Sequence, residues 1–157
     1  ACLHKLRKLL YILMREAPCA LNVSSIAEEI KLSRATTMNY IKYLKDSRLI
    51  NLLYLENKNF PMKPSKVFMQ NTNLAQMLTT KELSNQELYE TCFYASIHGS
   101  HKLNATERSA MFIVDGKYYF DVRETTPQRD TIRPTAIGTL ETGRGNMIPL
   151  WLLGFLY

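Results

Sequence analysis

The chain has 157 residues, 46% of them hydrophobic, with a formal net charge of +6 and three cysteines. That length admits one domain or two small ones, and the apolar content supports a packed core, which excludes a disordered chain. No apolar run reaches the ~20 residues that span a bilayer, and Cys2, Cys19 and Cys92 stand at spacings that form neither a disulfide framework nor a metal-ligand pattern.

The amino end lacks the order of a signal peptide, so the expected setting is cytoplasmic and reducing, with no membrane partner. Leu6, Leu9, Leu10 and Leu13 recur at helical spacing and predict a helix over Leu3–Ala17, ending before Pro18. Because residue 1 is not Met and the amphipathic pattern is already running there, the chain is expected to be the carboxy-terminal part of something longer. Ser24 to Leu44 then reads as helix, tight turn, helix. Ser25 with Glu28 is a capping-box spacing for the first of these, and Ser33 is the expected cap of the second. Thr37, Tyr40, Ile41 and Leu44 fall on one stripe of that second helix and are expected to face a core shared with the first helix of the chain.

Arg34, Thr36, Asn39, Lys42 and Tyr43 lie off the stripe, a composition suited to a helix that enters a DNA major groove. The β-rich run Leu49–Leu55 and the run Lys66–Met69 flank a turn-rich, basic connection and predict a wing, with Lys58, Lys63 and Lys66 near phosphates. Charge supports this placement. Residues 1–66 hold 12 Lys/Arg against 5 Asp/Glu, a net of +7, whereas residues 67–157 hold 8 against 9, a net of −1. A basic first half suits phosphate contacts, and the plainer alternative is a solvated basic surface.

Asn71–Leu78 predicts a short linking helix. Leu83–Ile97 predicts a longer one, capped by Ser84, with Leu88, Cys92 and Ala95 on one face, and broken by His98-Gly99-Ser100-His101. Ala110–Val114 and Tyr118–Val122 are β runs joined by Asp115-Gly116-Lys117, a hairpin signal. Thr125–Arg133 reads as a loop, Thr135–Leu140 as a further strand, and the apolar run from Ile148 as a buried terminal helix. Tyr118, Tyr119 and Phe120 read as strand packing rather than a base-stacking platform. His98, His101 and Cys92 offer no ligand geometry.

Four stretches carry a resemblance: Lys66-Val67-Phe68-Met69-Gln70-Asn71-Thr72-Asn73-Leu74, Glu90-Thr91-Cys92-Phe93-Tyr94, the hairpin Phe112–Val122, and the ending Ile148-Pro149-Leu150-Trp151-Leu152-Leu153-Gly154-Phe155-Leu156-Tyr157. Together they resemble the carboxy-terminal region of a bacterial family of AAA-type ATPases. Such proteins carry a nucleotide-binding module, a winged helix, and a terminal domain resembling restriction-endonuclease folds. The resemblance implies an α+β chain. A winged helix-turn-helix would span 1–70, and a small α/β domain of restriction-endonuclease-like type would span 71–157. It also implies that ATP and magnesium belong to a module outside this chain, which itself needs no cofactor.

The residues can be held against both chemistries. The nearest string to a phosphate-binding loop, Gly138-Thr139-Leu140-Glu141-Thr142-Gly143-Arg144-Gly145, has Arg for the Lys and Gly for the magnesium-binding hydroxyl. Endonucleases of the PD-(D/E)xK type need an acid on one strand, and a second acid followed two residues on by Lys. The resemblance puts Asp121 and Arg123 at the latter positions, Met111 where the first acid belongs, and Glu87 or Glu90 as the helix acid. Arg stays protonated and a thioether does not hold a hard cation, so Glu90, Asp121 and Arg123 are expected to be vestigial. The expected role is a non-catalytic module of an AAA-type ATP-binding protein, with DNA, a protein partner or its own ATPase module as partner. The alternatives are a free-standing winged-helix transcription regulator and a metal-dependent nuclease.

Overall fold

The computed structural model describes residues 2–78 and 81–156, so Tyr157 of the terminal run lies outside the described residues. The chain is α+β and divides into two compact units between Glu82 and Leu83. The expected boundary at 70/71 therefore moves. The short helix α4 (Thr72–Leu78) buries Ala75 and packs on the first helix and second strand of the first unit, so it belongs there.

The first unit begins with α1 (Cys2–Glu16), which buries Leu9, Ile12 and Leu13, while Leu6 and Leu10 sit at the rim. Next is α2 (Val23–Ile30). Its cap is Asn22, whose side chain accepts the Ser25 N–H at 3.2 Å. The expected Ser25–Glu28 capping box is thus corrected: the cap and the helix start lie three residues earlier, because Val23 joins Ile26, Ala27 and Ile30 on the buried face. Lys31 ends the helix in the left-handed region at φ 55°, and Leu32 N–H reaches back to the Ala27 carbonyl at 2.9 Å. That bond satisfies an orphan carbonyl and turns the chain sharply into α3 (Arg34–Asp46).

Ser33 caps α3 as expected, accepting the Thr36 N–H at 3.1 Å. The buried positions are Thr37, Met38, Ile41 and Leu44. Met38 takes the place expected for Tyr40, which is half-buried and meets the Cys2 thiol through its hydroxyl at 2.9 Å. That bond holds the Tyr40 phenol above its usual pKa. Strands β1 (Ile50–Leu53) and β2 (Lys66–Met69) pair antiparallel, Ile50 opposite Met69 and Leu53 opposite Lys66. Cys19 bridges to Val67 through two backbone hydrogen bonds of 3.2 and 2.9 Å, adding a one-residue third rung.

The second unit opens with α5 (Asn85–Ile97), where Ser84 and Glu87 form a full capping box. Its buried face is Glu90, Thr91, Phe93, Tyr94 and Ile97; the expected face of Leu88, Cys92 and Ala95 is only half-buried. The reason is aromatic packing. The Phe93 ring stacks on Phe112 at 4.8 Å and meets Phe120 at 5.5 Å, and this sets the helix's rotation.

Five strands follow in the order of the chain: β3 (Leu103–Asn104), β4 (Phe112–Val114), β5 (Tyr118–Arg123), β6 (Thr135–Ile137) and β7 (Met147–Pro149). The β3–β4 and β4–β5 pairs are antiparallel, and the β5–β6 and β6–β7 pairs are parallel. Asp115 and Gly116 make the β4–β5 turn with φ of 53° and 65°, the two positive values that a tight hairpin of this kind requires. Gly138 follows β6, and a Cβ there would overlap the Tyr89 ring of α5. The terminal run is a correction. Met147–Pro149 is a strand, and Leu150–Phe155 is a 3₁₀ helix that buries only Leu150 and Leu153. Trp151, Leu152, Phe155 and Leu156 are exposed.

Candidate nucleic-acid interface

The chain between β1 and β2 is shaped by two consecutive turns, with Lys58 N–H on the Leu55 carbonyl at 3.1 Å and Met62 N–H on the Asn59 carbonyl at 2.8 Å. The second turn brings Phe60 and Pro61 toward the first two turns of α3. Between them lies a groove of about 280 Å³ lined by Arg34, Ala35, Met38 and Asn39 from the helix and Phe60, Pro61 and Lys63 from the loop. Met38, Phe60 and Pro61 supply apolar wall; Arg34, Asn39 and Lys63 are exposed and supply the polar rim.

Of the eight residues expected to face DNA, the groove gathers three, Arg34, Asn39 and Lys63. Among the described residues none of these three makes a side-chain hydrogen bond or ion pair, which leaves their donors available to a ligand. Lys58 is exposed nearby in sequence and equally without an ion pair. Thr36 has another role: its hydroxyl meets that of Ser33 at 2.8 Å at the helix cap. Lys42 is paired with Asp46 one turn on and stands 5.8 Å from the centre of the Phe60 ring. That pairing holds the Asp46 carboxyl below its usual range. Tyr43 is 56% exposed beside Tyr40, at 6.2 Å between ring centres. Lys66 lies at the start of β2 with its ammonium 5.3 Å over the Phe68 ring.

Met38, Phe60 and Pro61 were not legible as site residues. The signal was an aromatic residue inside a polar, proline-containing connection, where packing into a core is not required.

In the second unit, Asp121 and Met111 meet across the β4–β5 hairpin. The Met111 N–H donates to Asp121 Oδ1 at 3.2 Å, and the Met111 sulfur accepts the Val122 N–H at 3.3 Å. Arg133 Nε stands 3.5 Å from Asp121 Oδ2. Arg123 is exposed at the strand end, and its carbonyl accepts the Gly138 N–H at 2.9 Å. Glu90 is 6% exposed and accepts from Gln86 Nε2 at 3.1 Å; the same amide donates to the Val122 carbonyl at 2.8 Å. Glu87 is engaged in the α5 cap. The arrangement offers one carboxylate beside a guanidinium, and among the described residues no three His, Cys, Asp or Glu side chains gather to hold a metal ion.

His101 pairs instead with Asp115, Nδ1 to Oδ2 at 2.8 Å, away from His98, whose ring bonds the Tyr94 carbonyl. Burial pushes the Cys19 thiol above its usual pKa, the direction opposite to a reactive thiolate. Among the described residues no helix is long and apolar enough to cross a membrane. No family model, curated protein or solved structure matches the chain.

Proposed function

We propose that the first unit is a winged helix-turn-helix that contacts DNA, with α3 directed at the major groove and the β1–β2 loop at the phosphates. The element order, three helices followed by an antiparallel pair, supports this reading. One observation carries it: Arg34, Asn39 and Lys63, from helix and loop, converge on a single groove with their donors uncommitted among the described residues. The +7 charge of residues 1–66 supplies the field that such contacts need. In this reading the second unit is a degenerate nuclease-like domain. The whole chain is then a non-catalytic, cytoplasmic module of an AAA-type ATP-binding protein, as the resemblance of its ending and hairpin implies.

The test is fluorescence anisotropy with a labelled duplex at about 50 and 200 mM salt, across which phosphate-driven binding weakens by orders of magnitude. Weak binding that collapses at the higher salt is expected. Lack of binding at the lower salt would overturn the DNA reading in favour of a protein partner.

A further inference from the structure

We infer that the groove between α3 and the β1–β2 loop holds an unpaired nucleobase, so that the chain favours single-stranded or locally unpaired DNA over an intact duplex. This rests on the DNA reading above and makes it narrower. An intact duplex offers α3 only base edges and thymine methyls in the major groove. A methyl group fills a small fraction of about 280 Å³. That volume sits instead near the ~300 Å³ at which small-molecule sites begin.

The lining matches a base in chemistry as well as size. Met38, Phe60 and Pro61 offer apolar and aromatic faces to a planar ring. Asn39, whose amide carries both donors and an acceptor, shares the lining with the two cations and can pair with a base edge. Arg34 on the helix and Lys63 on the loop flank the groove, where the phosphates on either side of the base would run. Lys42, tied to Asp46 on its own helix, stands 5.8 Å from the centre of the Phe60 ring, a cation–π contact that leaves the other face of the ring for a base.

The experiment compares three labelled probes on the full chain at low salt: a short oligothymidine, a duplex, and the same duplex with a central unpaired bulge. The bulged duplex is expected to bind about tenfold more tightly than the intact one, the size of a single stacked base. Phe60→Ala should erase that preference by weakening the bulged duplex about tenfold, well beyond any loss it causes with the intact duplex. Phe60→Leu, which keeps apolar volume without an aromatic face, should do the same. It guards against an alanine variant that fails to fold, as judged by its circular dichroism. Equal binding of bulged and intact duplexes, or Phe60 variants that weaken both alike, would overturn the inference and leave the duplex reading standing. Binding to none of the three would remove both.

Discussion

In the first unit Arg34, Lys58 and Lys63 stand exposed, with no ion pair among the described residues. In the second unit several acids are turned on a neighbouring cation or on the backbone, although Arg123 and Arg129 there are exposed as well. Asp121 faces Arg133, Asp115 takes the His101 ring and the Lys102 N–H, Glu124 accepts from Asn85, and Glu87 closes the α5 cap. Net charge alone would describe the two as basic and near neutral. The pairing adds what the count cannot. Acids engaged this way hold turns and strand ends in place and have little left for a metal ion, whereas Arg34, Lys58 and Lys63 are cations that can meet an anion.

The largest test of this contrast removes the packing on which the second unit's pairings rest. Phe93 is fully buried against Phe112 and Phe120. Phe93→Ala should lower stability by about 3–5 kcal/mol, read from urea unfolding followed at Trp151, the chain's sole tryptophan. A loss below about 1 kcal/mol would show that the aromatic stack does not organise this core.

A smaller effect sharpens the comparison by treating both units alike. Ser33 and Ser84 are matching caps, one on the helix that lines the groove and one on the helix that backs the sheet. Each serine-to-alanine change should cost about 0.5–2 kcal/mol. Only Ser33→Ala should also weaken DNA binding, because it loosens the first turn of α3 and with it Arg34. Equal losses of DNA binding from both variants would show that the groove is not the site of contact.

The smallest effect lies in pH. The His101 hydrogen bond, followed by the Lys102 N–H, holds the Asp115 carboxyl below its usual range. A depressed folded pKa favours the ionised form in the fold. Its contribution is therefore fully present above the ordinary aspartate pKa of about 3.9 and is lost as pH falls through the lower folded value. Melting temperatures of the parent and Asp115→Asn should differ slightly at neutral pH and converge in acid. A gap that widens in acid would reverse the assignment.

How much of this was legible in the sequence depended on the range of the forces involved. The Ser33 cap, the Ser84–Glu87 box, the β2 limits and the Asp115-Gly116 turn are set by neighbours within a few residues, and those signals were plain. The α2 start was misplaced because Asn22 and Ser25 are both competent caps, and the burial of Val23 decided between them. The rotation of α5 depends on Phe112 and Phe120, more than a dozen residues away, and hydrophobic periodicity in the helix itself is too weak to reveal it. The terminal run failed for a similar reason. Apolar content suggests burial, yet Met147 is drawn into strand pairing with Thr135, and the 3₁₀ turn after it leaves Trp151 and Phe155 outside. Of the candidate site, the helix side was visible as a polar face. On the loop side Lys63 was named but Phe60 and Pro61 were not, since two consecutive turns decide which of its residues meet α3.

Gly138 carries a consequence for how this chain can change over generations. With the Tyr89 ring occupying the place of its missing side chain, every substitution at 138 must first displace that ring or wait for its loss. Positions 89 and 138 are thereby coupled. An aromatic residue at 89 in its present position favours glycine at 138, and a small residue at 89 releases it. Descendants and relatives of this sequence should pass between those two states together, leaving a covarying pair that marks where α5 lies on the end of β6.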